Sequence, residues 1–264
     1  MIAKDSLKKR YLSKLGTNFV GLFFGLAIAM VVPRALGPKD YGDFEFITSF
    51  FRELIPFFTF ATSMAFFSKI SQRQSETSLI VFYKYVLWLG FSLLIFFVIL
   101  SQNIGFDQII WPDQKKIYVM LGLGLVIITT YSGVLGQILD ALGVTVKMEI
   151  GKIIQKIIGL SIISVLFFFK LLNLTSLYIY NIVIQLILFV IFLLLIKNTS
   201  AGINIISDWY LPVNKFKKYI VEFYRYSQPL FVYGLIGAFV GIFDRWILQI
   251  YGGSIEQGFF GLAF

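Results

Sequence analysis

The sequence contains no cysteine and no histidine among its 264 residues. These absences exclude disulfides, thiolate and imidazole metal ligands, and the histidine-dependent nucleophiles and proton relays of most hydrolases. Charged residues are also scarce: they make up 14% of the chain, whereas about 25% is usual in soluble domains. Hydrophobic residues make up 58%, and the mean hydropathy is +0.83. The composition therefore predicts an all-α integral membrane protein.

Seven apolar runs are long enough to cross the ~30 Å hydrocarbon core of a bilayer. They occupy residues 15–32, 44–67, 80–100, 117–139, 150–169, 174–196 and 228–251. The first six predict a six-helix transmembrane bundle within residues 1–200. The seventh run, followed by the start of an eighth at 258–264, predicts the incomplete beginning of a second bundle over residues 228–264.

Positive charge alternates along the chain, which has a formal net charge of +9. Of its 23 Lys and Arg residues, 16 lie in the N-terminal segment or in even-numbered connections and five in odd-numbered ones. Short cytoplasmic loops retain positive charge, so this asymmetry predicts a cytoplasmic N-terminus for a multi-pass protein of the cell membrane. The basic stretches do not form a soluble, aromatic-interleaved domain, so we expect no nucleic-acid partner.

The longest connection, residues 201–227, combines aromatic and basic residues. Trp209 and Tyr210 precede Lys215, Lys217 and Lys218. Such a segment predicts a cytoplasmic amphipathic linker that lies in the headgroup layer. A solvated linker is the alternative.

An internal repeat emerges when the sequence is aligned with itself at an offset of 216 residues. The matched pairs are Lys9 with Arg225, Gly21 with Gly237, Gly25 with Gly241, Gly37 with Gly253, Gly42 with Gly258 and Phe44 with Phe260. Small residues four apart allow helices to approach closely in lipid. Glycines in the following turn allow a sharp bend before the chain re-enters the membrane. The offset contains six spans, an even number, so the two halves are expected to run parallel, as in several transporter families.

Two stretches resemble a known family. VPRALGPKDYGDF at 32–44 resembles the opening of the polysaccharide (O-antigen type) flippases, and FDRWIL at 243–248, followed by Gly252 and Gly253, is similar to the start of that family's second half. These flippases share a superfamily with the multidrug/toxin-extrusion transporters and the lipid II flippase. The resemblance implies one six-helix bundle of the multidrug/toxin-extrusion fold plus the start of a second.

The resemblance also implies a function. The family moves polyprenyl-diphosphate-linked oligosaccharides from the inner to the outer leaflet by alternating access, for surface polysaccharide biosynthesis. The expected partners are therefore a lipid-linked oligosaccharide, membrane lipids and the glycan assembly machinery. No cofactor and no metal are expected.

Ionisable residues inside spans usually face a cavity and mark a functional pathway. Arg52 and Glu53 lie in the second span ahead of Pro56, and Asp244 and Arg245 lie in the seventh. We expect the two arginines to bind a diphosphate with bidentate donors and the two acids to hold them when the site is empty. The alternative is that each acid–base pair neutralises itself or reaches the interface.

Two lysines, Lys14 and Lys69, lie at the expected cytoplasmic mouth, where they are predicted to attract an anionic headgroup. A competing hypothesis is enzymatic: Asp43 and Glu45, in the first outer turn, are candidates to hold a divalent metal for sugar transfer from a lipid carrier. The second repeat has no aligned carboxylates, which favours a transporter.

Two further interpretations stay open. One is a drug or cation exporter of the same superfamily, in which Glu53 and Asp244 bind the cargo. The other is a truncated, nonfunctional fragment, because a single bundle has no second bundle to move against.

Overall fold

The structure is a computed structural model that describes residues 5–74, 76–199 and 209–263. Within these ranges the regular secondary structure is entirely helical. The helices are α1 Leu7–Phe58, α2 Ser63–Gln72, α3 Thr77–Ile104, α4 Asp107–Ile110, α5 Lys116–Ala141, α6 Thr145–Phe168, α7 Leu174–Lys197 and α8 Val213–Ala263.

Six of these helices, all except α2 and α4, are long and apolar enough to cross a membrane. The chain is therefore an all-α, multi-pass membrane protein, as its composition predicts. Helices α1 and α8 have 52 and 51 residues, whereas a single crossing takes about 20. Each of these two helices accordingly contains more than one predicted segment.

The boundaries of the two long helices differ from the sequence prediction. Helix α1 contains the first predicted span and most of the second, joined by a kink at Gly37 instead of a loop. Helix α8 joins part of the predicted linker to the seventh span and to the residues beyond it, with a kink at Gly253. The predicted boundary at residue 228 is therefore not a break in the helix. Residues 201–208 of the predicted linker lie outside the described residues.

The two kinks occupy equivalent positions in the predicted repeat. Gly37 has φ 80° and ψ 165°, and Gly253 has φ 71° and ψ −174°. Positive φ values with extended ψ are accessible to glycine because it lacks a Cβ. The same unusual backbone conformation at an offset of 216 residues confirms the predicted correspondence at these positions.

The second predicted span, residues 44–67, is not one continuous helix. Helix α1 ends at Phe58, and α2 begins at Ser63. Pro56 has no backbone N–H to donate within the helix, and Phe60 and Ala61 adopt left-handed φ values of 53° and 48°. This break corrects the prediction of a continuous span: the sequence stays apolar where the helix is interrupted.

The core forms around the part of α1 that follows Gly37. Aromatic side chains dominate it: Phe51, Phe66, Tyr83 and Trp111 are almost completely buried. Phe66 stacks on Tyr83 with ring centroids 4.0 Å apart. By contrast, most large apolar side chains of α1 before Gly37 are exposed. The core therefore fixes the second half of α1, which carries the charged residues of the candidate site.

The N-terminal end of α1 is attached to the bundle by polar contacts. The Arg10 Nε atom donates to Thr145 Oγ1 at 2.8 Å, and its Nη2 atom lies 3.1 Å from Asp140 Oδ1. The backbone N–H of Asp5 donates to the Gly143 carbonyl at 3.0 Å. These contacts join the start of α1 to the connection between α5 and α6.

Candidate functional site between the two long helices

The two long helices touch most closely just after their kinks. A Cβ at Gly42 would lie 2.7 Å from the Gly258 nitrogen and would overlap the Ser254 carbonyl oxygen. A Cβ at Gly258 would lie 3.0 Å from the Pro38 carbonyl carbon. Ser254 is the repeat equivalent of Pro38, and Gly258 is that of Gly42. The contact is therefore reciprocal, as a pseudo-two-fold axis between α1 and α8 requires.

Polar contacts surround this crossing. Asp43 Oδ1 accepts hydrogen bonds from Gln114 Nε2, at 2.7 Å, and from the Ser254 hydroxyl. Trp246 Nε1 donates to the Ile109 carbonyl at 2.7 Å. These bonds link α8 to α1 and to the segment between α3 and α5. They also show that Asp43, a candidate metal ligand from the sequence, is bound by an amide and a hydroxyl.

A group of ionisable side chains lies between α1 and α8. Arg245 is within electrostatic range of Glu45, Arg52 and Glu53, and we call these four residues the central charged cluster. The sequence predicted that Arg52, Glu53 and Arg245 share one region, and the structure brings them together. Glu45 also belongs to this group, although the sequence assigned it to a metal site.

Arg245 is oriented by neighbours within α8. Its Nη1 atom donates to Gln257 Oε1 at 3.3 Å, and the Gln257 amide donates back to the Arg245 carbonyl. The guanidinium carbon lies 4.6 Å from the centre of the Phe260 ring. Gln257 itself is completely buried. These contacts hold the guanidinium in one place while leaving it other N–H donors.

Glycines of α8 make room for the acids of α1. A Cβ at Gly261 would lie 2.8 Å from Glu45 Cγ, and one at Gly241 would lie 3.3 Å from Glu53 Cδ. Gly261 is the repeat equivalent of Glu45. The two repeats thus differ where they meet, because one supplies a carboxylate and the other supplies space for it.

Arg52 is the most open member of the central charged cluster. Its side chain is exposed, and its Nη2 atom donates to Ser49 Oγ at 2.9 Å. Within the described residues, no acid lies within 4.0 Å of the charged atoms of Arg52 or Arg245. Both guanidinium groups therefore keep donors free for an anion.

The structure does not bring Asp244 into this group. Asp244 is exposed, and no hydrogen bond or ion pair joins its side chain to any other described residue. Successive residues on a helix point about 100° apart, so Asp244 faces away when Arg245 faces α1. Of the four charged candidates that the sequence placed inside spans, Arg52, Glu53 and Arg245 lie together and Asp244 lies apart.

The two predicted mouth lysines both form ion pairs. Lys14 Nζ lies 2.6 Å from Asp140 Oδ2, and Lys69 Nζ lies 3.0 Å from Glu222 Oε1. Glu222 also binds Arg73 at 2.6 Å, and these hydrogen bonds raise the pKa of Arg73 above its ordinary value. The Lys69 pair joins α2 to α8 at the opposite end of the second span from the Gly42 crossing.

Sequence reasoning missed the amides and hydroxyls that organise the site. Gln249 and Gln257 are almost completely buried in a helix whose neighbouring positions are mostly apolar. A buried amide needs hydrogen-bond partners. The two glutamines in this apolar run could therefore have indicated a polar contact inside the protein. Gln114 and Ser254 gave no comparable signal, because each lies in a segment that reads as a loop or turn.

Comparison with known proteins returned no matching family model, no matching curated protein and no matching solved structure.

Proposed function

We propose that this protein translocates a polyprenyl-diphosphate-linked oligosaccharide across the bacterial cytoplasmic membrane for surface polysaccharide assembly. The observation that carries the proposal is that Arg52, from the first repeat, and Arg245, from the second, lie within electrostatic range of each other. Two guanidinium groups with free donors match the two phosphates of a diphosphate, because each can bind phosphate oxygens with a planar fork.

The cost of charge inside a membrane supports a functional role for the central charged cluster. Arginine near the middle of a helix costs at least ~2.5 kcal/mol to insert, and this chain places two within range of each other. Structural stabilisation would be better served by apolar residues of similar volume. An anionic cargo that must leave water offers a reason to keep both charges.

The interrupted second span gives further support. Discontinuous helices in membranes occur where the exposed backbone lines a cavity or lies inside the protein. The break at residues 59–62 follows Arg52 by about two helical turns. Transporters with parallel repeats commonly combine such a break with a site at the interface between the repeats.

The proposed mechanism is alternating access. The Gly42–Gly258 crossing closes the interface of α1 and α8 at one end, and the central charged cluster lies beyond it. Sequence charge predicts that the closed end faces outward, so that the cluster is loaded from the cytoplasmic side. The glycan would cross beside the arginines while its polyprenyl chain stays in lipid, because a charged diphosphate cannot cross hydrocarbon unaided.

Export of organic cations is the second candidate. Glu45 and Glu53 lie in the same cluster, and carboxylates at an interface between repeats could bind a cationic cargo instead. In that case the acids, and not the arginines, would be essential. The flippase proposal therefore requires the two arginines, whereas the cation-export proposal requires the neighbouring acids.

The test is substitution in the protein expressed from its own gene in a flippase-null strain. Arg52→Ala and Arg245→Ala should each abolish surface-polysaccharide assembly, and Arg→Lys should restore it only in part, because a point charge replaces a planar fork. Arg34→Ala is the matched control, since Arg34 is an exposed residue of α1 outside the cluster. Membrane abundance should be equal in all variants.

Full activity of both alanine variants would contradict the proposal. If Glu45→Gln and Glu53→Gln abolish dye export while the arginine variants retain it, the cation-export candidate replaces the flippase.

A further inference from the structure

An apolar groove runs along the outside of the chain, away from the central charged cluster. Its volume is about 840 Å³, and it lies between α3, the break after α1 and the first half of α8. Residues that line it include Phe60, Tyr85, Leu89, Ile220, Tyr224 and Val232. All six side chains are at least 39% exposed, so the groove is open to whatever surrounds the protein.

Buried aromatic side chains form the floor of the groove. Phe82 of α3 contacts Phe223 of α8 with ring centroids 4.9 Å apart, and both rings are buried. At one end, the hydroxyls of Ser78 and Tyr219 lie 2.8 Å apart. The walls therefore keep their separation without an occupant, which makes the groove a preformed site.

The length of the groove matches one leaflet of a membrane. From Phe216 to Val232, α8 rises about 24 Å at ~1.5 Å per residue. Half of a hydrocarbon core is about 15 Å, so the groove accommodates a lipid chain and reaches the headgroup level. A small soluble ligand would not need this extended apolar wall.

One end of the groove carries the features of a membrane interface. Trp209 accepts a hydrogen bond through its backbone oxygen from the Tyr85 hydroxyl, and its ring lies 5.0 Å from Lys84 Nζ. Tryptophan and tyrosine beside basic residues are typical of the headgroup layer. The acyl end of a bound lipid would therefore lie toward Phe60 and Val232, and its headgroup toward Trp209.

Lys217 supplies positive charge at this end. It is exposed, and among the described residues it has no ion pair. It precedes Ile220 and Tyr224 by three and seven residues, which places all three on one face of α8. Lys218 is turned to another face, where it lines a separate pocket with Arg73 and Glu222. The groove is therefore complementary to an anion at the end where a headgroup would lie.

We propose that this groove binds one anionic diacyl phospholipid from the surrounding leaflet, with its acyl chains against Leu89 and Val232 and its phosphate near Lys217. The site is independent of the proposed transport of a lipid-linked sugar, since none of its residues belongs to the central charged cluster. A bound phospholipid would join α3 to α8 through contacts that the protein alone does not make. The chain would thus use a membrane lipid as a structural ligand.

Native mass spectrometry of the purified full chain tests the proposal, with phosphatidylglycerol and phosphatidylethanolamine as probes. One phosphatidylglycerol should bind in preference to phosphatidylethanolamine. Lys217→Ala should weaken the binding of phosphatidylglycerol about fivefold, since a basic residue near an anionic headgroup contributes that much. Lys218→Ala, which removes the same charge from the neighbouring position, should leave it nearly unchanged.

A second pair of variants tests the groove itself. Leu89→Trp should obstruct the groove and weaken lipid binding, whereas Ile95→Trp, on another exposed face of α3, should not. Should Leu89→Trp fail to fold, photo-cross-linking of a diazirine-labelled phosphatidylglycerol to the unaltered protein should still concentrate on 82–89 and 216–232.

Three results would overturn the proposal: equal binding of both lipids, equal effects of the members of either pair of variants, or cross-links spread evenly over all apolar faces. A dimer that Leu89→Trp dissociates would overturn it too, because the groove would then hold a second copy of the chain.

Discussion

Gly42 and Gly258 pack backbone to backbone, and each contacts the residue four positions before the other. The two glycines occupy equivalent positions in the repeat, and each must lack a side chain so that the backbone of the other helix can approach. A side chain at either position would force α1 and α8 apart. At this crossing the backbones of the two repeats are in direct contact. Residues beside it are therefore close enough to be tested by engineered cross-links.

A disulfide should form across this crossing. Asp43 and Ser254 are hydrogen-bonded through their side chains, so Asp43→Cys with Ser254→Cys should cross-link under mild oxidation. The chain has no native cysteine, which removes any competing pair. The measurement is a mobility shift on gels after protease cleavage between α7 and α8. Asp43→Cys with Ile255→Cys is the control, because Ile255 is exposed and should remain unlinked. Equal cross-linking of both pairs would contradict the packing.

Both kink glycines should be intolerant of a side chain. Gly37→Ala and Gly253→Ala should each lower the free energy of unfolding by about 1–3 kcal/mol, because their backbone conformation is almost restricted to glycine. Gly25→Ala is the control, since Gly25 is helical and a Cβ there would meet no atom within 4 Å. The close helix approach that the sequence predicted at Gly25 is therefore not present among the described residues. Gly25→Ala should be neutral or slightly stabilising. Thermal unfolding in detergent measures all three, and an unchanged midpoint in the kink variants would show that the kinks are not fixed by glycine.

The ion pairs at the far end of the second span should contribute modestly to stability. Glu222→Gln removes the common partner of Lys69 and Arg73. Because all three groups are partly exposed, we expect a loss of about 1 kcal/mol or less, decreasing further at high salt. Arg73→Glu combined with Glu222→Arg should recover part of it. Glu256→Gln, at an exposed position of α8, should cause no loss in the same thermal assay.

The orientation in the membrane should follow the charge asymmetry of the connections. Cysteines that replace Lys116 or Lys170 should react with a membrane-impermeant thiol reagent added to intact cells, and one that replaces Lys215 should not. All three positions are exposed in the structure, so differences in reactivity would report sidedness and not burial. Permeabilised cells, in which all three should react, provide the control. The reverse pattern would place the N-terminus outside.

Hydropathy and charge predicted the features that depend on composition alone. The membrane-spanning character followed from apolar length. The repeated glycines predicted sharp bends at Gly37 and Gly253, but as turns between spans, whereas each is a kink within one long helix. The break at residues 59–62 could not be predicted, because hydropathy reports the length of a run and not the continuity of its hydrogen bonds. Pro56 was the one local signal, and α1 ends two residues after it.

The site was only partly predictable for a different reason. Arg52, Glu53 and Arg245 stood out because charge is rare within spans. Glu45 stood out equally, but its proximity to Arg245 depends on how α1 and α8 cross, and that crossing joins residues 200 positions apart. Asp244 was included because it neighbours Arg245 in sequence, although neighbours on a helix face different directions.

Because of the interruption after Phe58, α8 contacts the second span through two separate helices, α1 and α2. One helix carries Gly42 and the acids of the cluster, and the other carries Lys69 and Arg73. If the second span were one continuous helix, both attachments would belong to one rigid body and would move together. In the proposed alternating access, this interruption would let one attachment be released while the other holds, so that one side of the membrane opens at a time.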